Sequence, residues 1–329
     1  MRLPKKINLA HLPTPIEKIR FRTSRNNSKT KGVEFLIKRD DYTGSDFLGN
    51  KIRKLEYLLY EAKKVKADII FTCGGDQSNH ARATVSAAAK LGIKTRLYLW
   101  GNEKKNADGN LFLNKMYGAE IIFLTKKEFL NVDEIMTYER RKLVKKGKRV
   151  YVIPAGGSST LGIWGYISFV EELKKQIDFK RINGIFAACG SGGTAAGLLI
   201  GSALNNLKLK IFSVNVLLPK KEITKKILQL AEGSILDYNL AVKIDESRLE
   251  IIDGYSTEGY KNISDKKLKL ISEFSRSTGI LLDPAYTGKA FNAYNDLILK
   301  RDEGKKNIFL HTGGIFGIFS KRTDYLKHS

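Results

Sequence analysis

The hydrophobic positions of this chain fall into two alternating patterns from residue 33 onward. Short apolar runs, which are typical of buried strands, are followed by longer segments whose apolar residues recur at helical spacing. The runs predict strands over residues 33–38, 68–73, 94–100, 120–124, 149–153, 182–189, 210–217, 249–252 and 307–311. The amphipathic segments predict helices that include residues 79–90, 132–145, 163–175, 194–204, 221–230, 265–277 and 287–299. Neither pattern is present in residues 1–32, which we expect to be irregular, with an exposed loop at residues 24–31.

This alternation predicts an α/β fold with parallel twisted sheets flanked by helices. Parallel strands need a crossover connection, and the helices between the strands supply it. A length of 329 residues is typical of two domains, and no linker is obvious, so we expect the domains to exchange chain more than once. In such folds ligands bind beyond the carboxyl ends of the strands, and the loops at those ends are therefore where we look for chemistry.

The charge balance introduces a second class of function. Lys and Arg number 58 against 34 Asp and Glu, which gives a net charge of +24 and makes a polyanion partner a candidate. The basic residues are scattered, mostly on the polar faces of predicted helices, and no basic helix interleaved with aromatic residues stands out. A basic nucleic-acid-binding protein on an α/β scaffold is therefore the weaker alternative.

The numbers of cysteines and histidines and the lengths of the apolar runs indicate which cell compartment and which kinds of site to expect. Cys73 and Cys189 are far apart and each ends a predicted strand, so we expect both to be buried and reduced in a cytoplasmic protein. Two cysteines and four histidines without close pairing argue against a structural metal site. The basic start of the chain is followed by no apolar run, and no segment approaches the roughly 20 apolar residues of a membrane helix. We expect neither a signal peptide nor a membrane span.

Lys51 lies at the junction between a Gly-containing approach, residues 41–46, and an amphipathic helix. A lysine in the first turn of a helix, directly after a flexible loop, can point into a cleft instead of into solvent. Most lysines in so basic a chain are solvated, and Lys51 alone would carry no functional argument. What distinguishes it is that the other parts of an amine-plus-cofactor site follow downstream.

Two of those parts are loops suited to anions. Gln77, Ser78 and Asn79 follow a predicted strand and open a helix, where N–H groups and polar side chains can hold a carboxylate, unless Ser78 and Asn79 merely cap the helix. Residues 187–197 form a glycine-rich loop before a helix, which suits a phosphate. The loose dinucleotide pattern at residues 190–195 lacks the acidic residue about 20 positions on, so a monophosphate cofactor fits better than NAD.

Three further features lie at loop positions. A Gly/Ser-rich stretch at residues 154–162 is either part of a site or only a connector. Tyr286 precedes a helix, where packing is the commoner role, and Thr312 presents a small hydroxyl at the end of a strand. A lysine amine, a phosphate cradle, a carboxylate cradle, a small hydroxyl and a tyrosine together indicate a pyridoxal-phosphate site, since that cofactor needs an amine partner, an anchored phosphate and a group beside its ring nitrogen.

Together these motifs resemble the fold-type-II pyridoxal-phosphate enzymes, specifically the 1-aminocyclopropane-1-carboxylate deaminase / D-cysteine desulfhydrase family. The resemblance runs from Leu12 to Gly314 and so covers nearly the whole chain. It implies a tryptophan synthase β-like fold with a large cofactor-binding domain, residues 1–50 and 162–329, and a small α/β domain, residues 51–161. It also implies that the site lies between the domains, that the cofactor is pyridoxal 5'-phosphate and that the protein is a homodimer.

The resemblance assigns expected roles to individual residues. Lys51 matches the lysine that bonds the cofactor aldehyde, Asn50 a residue near the phenolic oxygen, and Thr312 the partner of the ring nitrogen. The residues that match the phosphate loop are Ser191, Gly192, Gly193 and Thr194. The residues expected to bind the substrate carboxylate are Gln77, Ser78 and Asn79. The expected catalytic residues are Lys51, Ser78, Tyr260 and Tyr286.

Position 287 helps to choose a reaction within this family. The deaminases have Tyr-Glu-Gly-Lys at the positions of residues 286–289. Their glutamate pairs with the ring nitrogen and makes the ring a stronger electron sink. Opening a cyclopropane that has no α-hydrogen needs such a sink. Thr287 instead resembles the desulfhydrases. We predict α,β-elimination of D-cysteine to pyruvate, hydrogen sulfide and ammonia, with deamination of aminocyclopropane carboxylate as the alternative. Other small eliminase substrates and an inactive homologue stay open, because Leu48, Ser159 and residues 73–76 depart from the family pattern.

Overall fold

The computed structural model describes residues 3–22, 32–260, 262–299 and 306–327. The strands in these residues are β1 (Ile16–Phe21), β2 (Val33–Arg39), β3 (Ile69–Gly75), β4 (Lys94–Trp100), β5 (Glu120–Leu124), β6 (Val150–Val152), β7 (Gly184–Cys189), β8 (Lys210–Asn215), β9 (Leu249–Ile252) and β10 (Asn307–His311). The helices are α1 (Lys51–Lys64), α2 (Asn79–Lys90), α3 (Gly109–Met116), α4 (Lys126–Phe129), α5 (Val132–Lys145), α6 (Trp164–Lys174), α7 (Gly193–Leu204), α8 (Lys220–Asp237), α9 (Asp265–Thr278), α10 (Thr287–Leu297), α11 (Phe316–Phe319) and α12 (Arg322–Leu326).

The strands form two sheets. The larger sheet has the order β1-β2-β10-β7-β8-β9, and the smaller sheet has the order β5-β4-β3-β6. All pairings are parallel except that between β1 and β2, which is antiparallel. The predicted α/β class, with parallel sheets flanked by helices, is confirmed.

The expectation that residues 1–32 are irregular is wrong for β1. This strand pairs along its whole length with β2, from Ile16 opposite Lys38 to Phe21 opposite Val33. It lies at the edge of the larger sheet and is mostly half-buried or exposed, so polar residues interrupt its apolar pattern. The predicted loop at residues 24–31 lies outside the described residues.

The larger sheet is covered on both faces, as parallel strands require. Every residue of β7 and of β10 is buried. One face of β7, including Ile185, packs with α6, α7 and α8, whereas the other face, including Phe186, packs with α9 and α10. These two strands therefore end in the interior of the protein, between the helical layers.

The smaller sheet lies wholly within residues 51–161. Ile70 of β3 packs under α1 and α2, and Phe71 faces α5 on the opposite side. Helix α1 also crosses α6 so closely that a Cβ at Gly165 would lie 2.5 Å from the carbonyl carbon of Arg53. Helix α1 thus contacts helices of both sheets, while the exact division of the chain into domains stays a prediction.

Both cysteines are buried, and neither forms a disulfide. In the residues that the structure describes, no group of three His, Cys, Asp or Glu side chains is arranged to hold a metal ion. No helix in the same residues combines the length and the apolar character needed to cross a membrane.

Candidate functional site

The carboxyl ends of β7 and β10 meet the first turns of α1, α2 and α7 around a cavity, here called the first cavity. It lies where a doubly wound sheet is expected to bind ligands. Most of the residues singled out from the sequence line it, namely Asn50, Lys51, Asn79, Ser191, Gly192, Thr194, Tyr286 and Thr312. The structure therefore brings together the four loops that the sequence marked separately.

Lys51 is the first residue of α1, and its half-buried side chain lines the first cavity. The approach to it is fixed by the hydroxyl of Thr43, which bonds both the N–H and the carbonyl of Gly49. Gly49 has a φ of +123°, and a Cβ there would collide with the carbonyl oxygen of Thr312. Asn50 N–H donates to that same carbonyl at 3.1 Å, so the end of β10 holds the start of α1 in place.

Burial lowers the pKa of Lys51 to about 8, and the carboxylate of Asp283 offsets only part of this effect. The ordinary value for a lysine is 10.5, so the uncharged fraction of the amine rises to about one tenth at pH 7. An uncharged amine in a cleft can attack a carbonyl carbon or accept a proton.

Lys54 is a site residue that the sequence analysis missed. It lies one turn after Lys51, is 1% exposed, and also lines the first cavity. Its Nζ is 3.3 Å from Ser158 Oγ and 3.4 Å from the carbonyl oxygen of Gly156, and no carboxylate of a described residue pairs with it. Burial and the nearby Lys51 hold its pKa well below the usual range. The three-residue spacing, which places both amines on one helix face, was the available signal.

The glycine-rich loop ends in Gly192, which has a φ of +85°, and α7 begins at Gly193. A Cβ at Gly193 would collide with Ser158 Oγ and lie 2.8 Å from Lys54 Nζ. The Asn50 amide donates to Thr194 Oγ1 at 3.1 Å. Bare N–H groups, hydroxyls and a buried cation thus surround one space at the positive end of a helix, and this donor set fits a phosphate.

The loop at residues 154–162 is more than a connector. Ser158 Oγ lies 2.8 Å from Ser191 Oγ, so its hydroxyl joins the donor set beside Lys54. Gly156 has a φ of +68°, and a Cβ there would collide with the side chain of Ser191. This loop is therefore packed directly against the glycine-rich loop.

The three polar side chains of the loop before α2 have different surroundings. Ser78 is the N-cap of α2 and its Oγ accepts from Ala81 N–H at 3.2 Å, so the capping interpretation is correct for this hydroxyl. Gln77 uses both ends of its amide, accepting from Asn110 N–H at 2.9 Å and donating to the Asp108 carbonyl at 3.1 Å. Asn79 lines the first cavity, whereas Ser78 and Gln77 do not.

A second cavity adjoins the first, and Asn79 and Tyr286 line both. Tyr260 lines the second cavity, and its hydroxyl lies 2.6 Å from that of Tyr286. Burial raises the pKa of Tyr260 to about 12 and that of Tyr286 above its ordinary value, so both phenols are protonated at neutral pH. Lys289 holds this pair by donating to the carbonyl of Gly259 at 2.6 Å.

Thr287 does not line either cavity. Its hydroxyl donates to Asp283 Oδ1 at 2.6 Å, and the same carboxylate accepts from the N–H groups of Ala285 and Tyr286 at 3.0 Å. Asp283, which the sequence analysis left without a role, therefore fixes the turn that carries Tyr286. Burial raises its pKa despite these hydrogen bonds. The inference from position 287 to reaction type stays a prediction.

The charge of the first cavity is one-sided. Lys51 and Lys54 contribute amines, and Thr312 contributes a hydroxyl from the end of β10. No Asp or Glu of residues 3–22, 32–260, 262–299 or 306–327 lines this cavity. The cavity therefore suits an anionic ligand. At the end of β10 it presents the neutral hydroxyl of Thr312 and not a carboxylate.

Known proteins are similar to this chain in sequence and in fold. The family model for "Pyridoxal-phosphate dependent enzyme" matches residues 7–313. A putative 1-aminocyclopropane-1-carboxylate deaminase of Thermotoga maritima is 39% identical over 317 residues, 96% of this chain and 98% of that protein. A mitochondrial bifunctional D-cysteine desulfhydrase/1-aminocyclopropane-1-carboxylate deaminase of Arabidopsis thaliana is 37% identical over 95% of this chain and 79% of its own length. A crystal structure of an ACC deaminase homologue matches with a TM-score of 0.88 and 35% identity, covering 98% of this chain and 96% of the other.

Proposed function

The chain belongs to the family of pyridoxal-phosphate dependent enzymes, and from that premise we propose that it catalyses α,β-elimination of D-cysteine to pyruvate, hydrogen sulfide and ammonia. One observation carries the proposal. The Lys51 amine and a phosphate-type donor set share a cavity in which no carboxylate of a described residue takes part. The substrate is the part of this proposal that goes beyond the family.

The donor set of the first cavity fits the cofactor. When bound, pyridoxal phosphate supplies an aldehyde for the substrate amine and a ring that takes up the electron pair left at the α-carbon. We assign the phosphate to the N–H groups and hydroxyls of the glycine-rich loop together with Lys54. We place Asn50 beside the ring and the Thr312 hydroxyl at the ring nitrogen. The residues assigned to the phosphate are Ser191, Gly192, Gly193, Thr194 and Lys54.

Lys51 is the base in this proposal. A base works best when its pKa lies near the operating pH, and a value of about 8 meets that condition. The neutral amine accepts the α-proton of the substrate, and the resulting ammonium can return a proton later in the cycle. Asp283 stabilises the charged form from a distance, which keeps the pKa from falling further.

The remaining residues orient the substrate and help sulfide to leave. We assign the substrate carboxylate to the first turn of α2, with the Asn79 amide and the Ser78 hydroxyl as donors. Gln77 lines the second cavity, but both ends of its amide are engaged, so we assign it to support of this loop. The Tyr286 hydroxyl faces both cavities and gives a proton to the departing sulfur, while Tyr260 at 2.6 Å replaces that proton.

The neutral environment proposed for the ring nitrogen favours elimination over ring opening. A carboxylate at that position would strengthen the electron sink, which opening a cyclopropane without an α-hydrogen requires. Expelling a thiolate from the β-carbon asks less of the ring. Deamination of aminocyclopropane carboxylate to 2-oxobutanoate is the second candidate, because the Thermotoga and Arabidopsis relatives carry that activity in their names.

A substrate panel tests the proposal. Purified protein supplied with pyridoxal phosphate is given D-cysteine, L-cysteine, D-serine or aminocyclopropane carboxylate, and the keto acid and sulfide are measured. We expect steady release of pyruvate and sulfide from D-cysteine. Equal or faster release from L-cysteine would contradict the stereochemical part, and 2-oxobutanoate without pyruvate would select the second candidate. No product from any of these compounds would contradict both candidate activities.

Two further expectations concern the oligomeric state and the location of the protein. We expect the protein to be a homodimer and to be located in the cytoplasm. Light scattering on purified protein tests the first expectation, and fractionation of the source cells tests the second.

A further inference from the structure

We propose that Asn110 and Arg82 are positioning residues that fix the Asn79 amide with its NH2 group directed toward the substrate carboxylate. Arg82 lies on α2 and Asn110 on α3, and both are almost fully buried, at 1% and 0% exposure. Neither residue lines either cavity, so they act through Asn79. The inference rests on the proposed function, which makes Asn79 a ligand of that carboxylate.

The orientation of the Asn110 amide is fixed at both of its ends. Arg82 Nε donates to Asn110 Oδ1 at 3.2 Å, and a guanidinium group can only donate. Asn110 Nδ2 donates to the backbone carbonyl of Gln77 at 2.9 Å, and a carbonyl can only accept. The two ends of an asparagine amide are usually hard to assign, but these partners leave a single arrangement.

The orientation of the Asn110 amide determines the orientation of the Asn79 amide. The second hydrogen on Asn110 Nδ2 is donated to Asn79 Oδ1 at 2.9 Å, so Asn79 must turn its oxygen toward α3. Its own NH2 group then lies on the opposite side of the amide. That group donates to no residue in the part of the chain that the structure describes, while Asn79 lines both cavities. A free donor facing the space between the two cavities suits a carboxylate acceptor.

Arg82 is itself held without a carboxylate acceptor among its bonds. Its guanidinium donates to the carbonyls of Asp46, Phe47 and Leu48 at 2.7, 2.6 and 3.2 Å. Burial lowers its pKa to about 10, which still leaves it charged and donor-only at neutral pH. The three carbonyls belong to the loop that leads into Lys51. One network therefore connects the loop before the amine with the donor for the carboxylate.

The replacement Asn110→Asp reverses this arrangement while preserving size and shape. The introduced carboxylate still accepts from Arg82 but cannot donate, so the Asn79 amide is expected to rotate and donate to it. The NH2 group is then lost from the cavity. A hydrogen bond to a charged group has a strength that corresponds to about 10- to 100-fold in affinity.

The test compares two ligands that differ only in the carboxylate. Alanine, in its better-binding enantiomer, and ethylamine are titrated into the cofactor-loaded enzyme, and dissociation constants are taken from the change in cofactor absorption. In Asn110→Asp we expect alanine to bind about 10- to 100-fold more weakly and ethylamine to change by less than about twofold. Asn205→Asp, the same change at a half-buried asparagine directly after α7 that lines neither cavity, is the control and should keep the wild-type ratio.

A second variant separates orientation from packing. Asn110→Ser shortens the side chain and releases Asn79 without reversing it. If Asn110 only fills space, the cavity left by Ser should be more harmful than the isosteric Asp. We expect the opposite order, in which Asp weakens alanine more than Ser does. In an Asn79→Ala background, neither change should alter the ratio of the two dissociation constants further.

The outcomes distinguish this inference from the proposed function. If the unmodified enzyme binds alanine no better than ethylamine, the proposed carboxylate site is wrong and this inference falls with it. If the unmodified enzyme discriminates but Asn110→Asp keeps the wild-type ratio, the inference alone is overturned. Equal weakening of both ligands, or additive losses in the Asn79→Ala background, would also overturn it.

Discussion

Helix α1 carries basic side chains on two faces, and the two faces surround them with different partners. On one face Arg53 pairs with Asp40 at 2.8 Å and with Glu172 at 2.7 Å. On the other face Lys51 and Lys54 line the first cavity, and neither pairs with a carboxylate of a described residue. All three cations lie within four consecutive residues of one helix.

The partners, not the burial, decide what each cation can do. Burial opposes the charge of Arg53, but the two carboxylates outweigh it and raise its pKa above the usual value. Burial lowers the pKa of Lys51 to about 8, because the two groups that raise it, Cys189 and Asp283, offset only part of the effect of burial. A paired cation is therefore a permanent part of the structure, whereas an unpaired one can exchange a proton or receive an anion.

The largest expected effect is on the unpaired face. Lys51→Ala should reduce kcat for D-cysteine by at least about 1,000-fold, since it removes both the amine for the cofactor and the base. The unfolding midpoint of the cofactor-free protein should not fall, because no ion pair is lost. Steady-state kinetics and thermal unfolding measure the two quantities. Lys63→Ala, an exposed lysine of the same helix, is the control. Activity of Lys51→Ala within tenfold of the control would erase the distinction between the faces.

The paired face should respond in stability and not in chemistry. Arg53→Ala leaves Asp40 without its cation and Glu172 with Lys38 alone, and breaking a buried pair in this way destabilises proteins by about 3–5 kcal/mol. Urea unfolding measures the loss, and kcat of the folded variant should stay close to that of the unmodified enzyme. Arg149→Ala, which removes an exposed pair with Asp68, should barely move the midpoint. A large kcat defect without loss of stability would contradict a structural role for Arg53.

Lys54 should give a smaller effect, on cofactor binding. Lys54→Met removes a charged donor beside the glycine-rich loop, which we expect to weaken binding of pyridoxal phosphate about 10- to 100-fold. Equilibrium titration of cofactor-free protein measures the dissociation constant. Because the amine is buried and unpaired, its removal should not lower the unfolding midpoint. An unchanged dissociation constant would assign the phosphate elsewhere.

The smallest expected effect is on pH dependence. The base must be uncharged, so kcat should rise with pH, by about tenfold per unit on the acid side, and level off above the Lys51 pKa of about 8. Arg53 stays charged throughout and contributes no titration. A pH profile of kcat for D-cysteine checks this. If kcat did not change with pH on the acid side, or rose only near the ordinary lysine value of 10.5, the pKa of Lys51 would not be lowered by burial as we expect.

The sequence predicted the elements whose apolar pattern is strong, and it missed α3, whose buried residues are largely polar. The bounds of β4, β5, α2 and α5 agree with the structure. Helix α3 was not predicted, because its buried positions include Asn110 and Asn114 while Phe112 and Met116 are exposed. The hydrophobic pattern of α3 is thus partly inverted, and the same inversion brings Asn110 to the loop before α2.

Much of the candidate site could be predicted because its residues lie in short motifs at strand ends. Lys51, Asn79, Ser191 and Tyr286 each follow a loop of recognisable composition, and the structure brings them to one cavity. The roles of Lys54, Arg82 and Asn110 depend on which groups face them across different elements. No local pattern encodes such pairings, so these residues became visible only in the folded chain.

The identity of the amine that carries the cofactor is the most direct test of the contrast between the two faces of α1. The protein is loaded with pyridoxal phosphate, reduced with borohydride and digested, and the labelled residue is identified by mass mapping. We expect the label on Lys51 and not on Lys54, three residues away. A label on Lys54, on any other side chain, or on none would contradict the central claim that the unpaired Lys51 amine holds the cofactor.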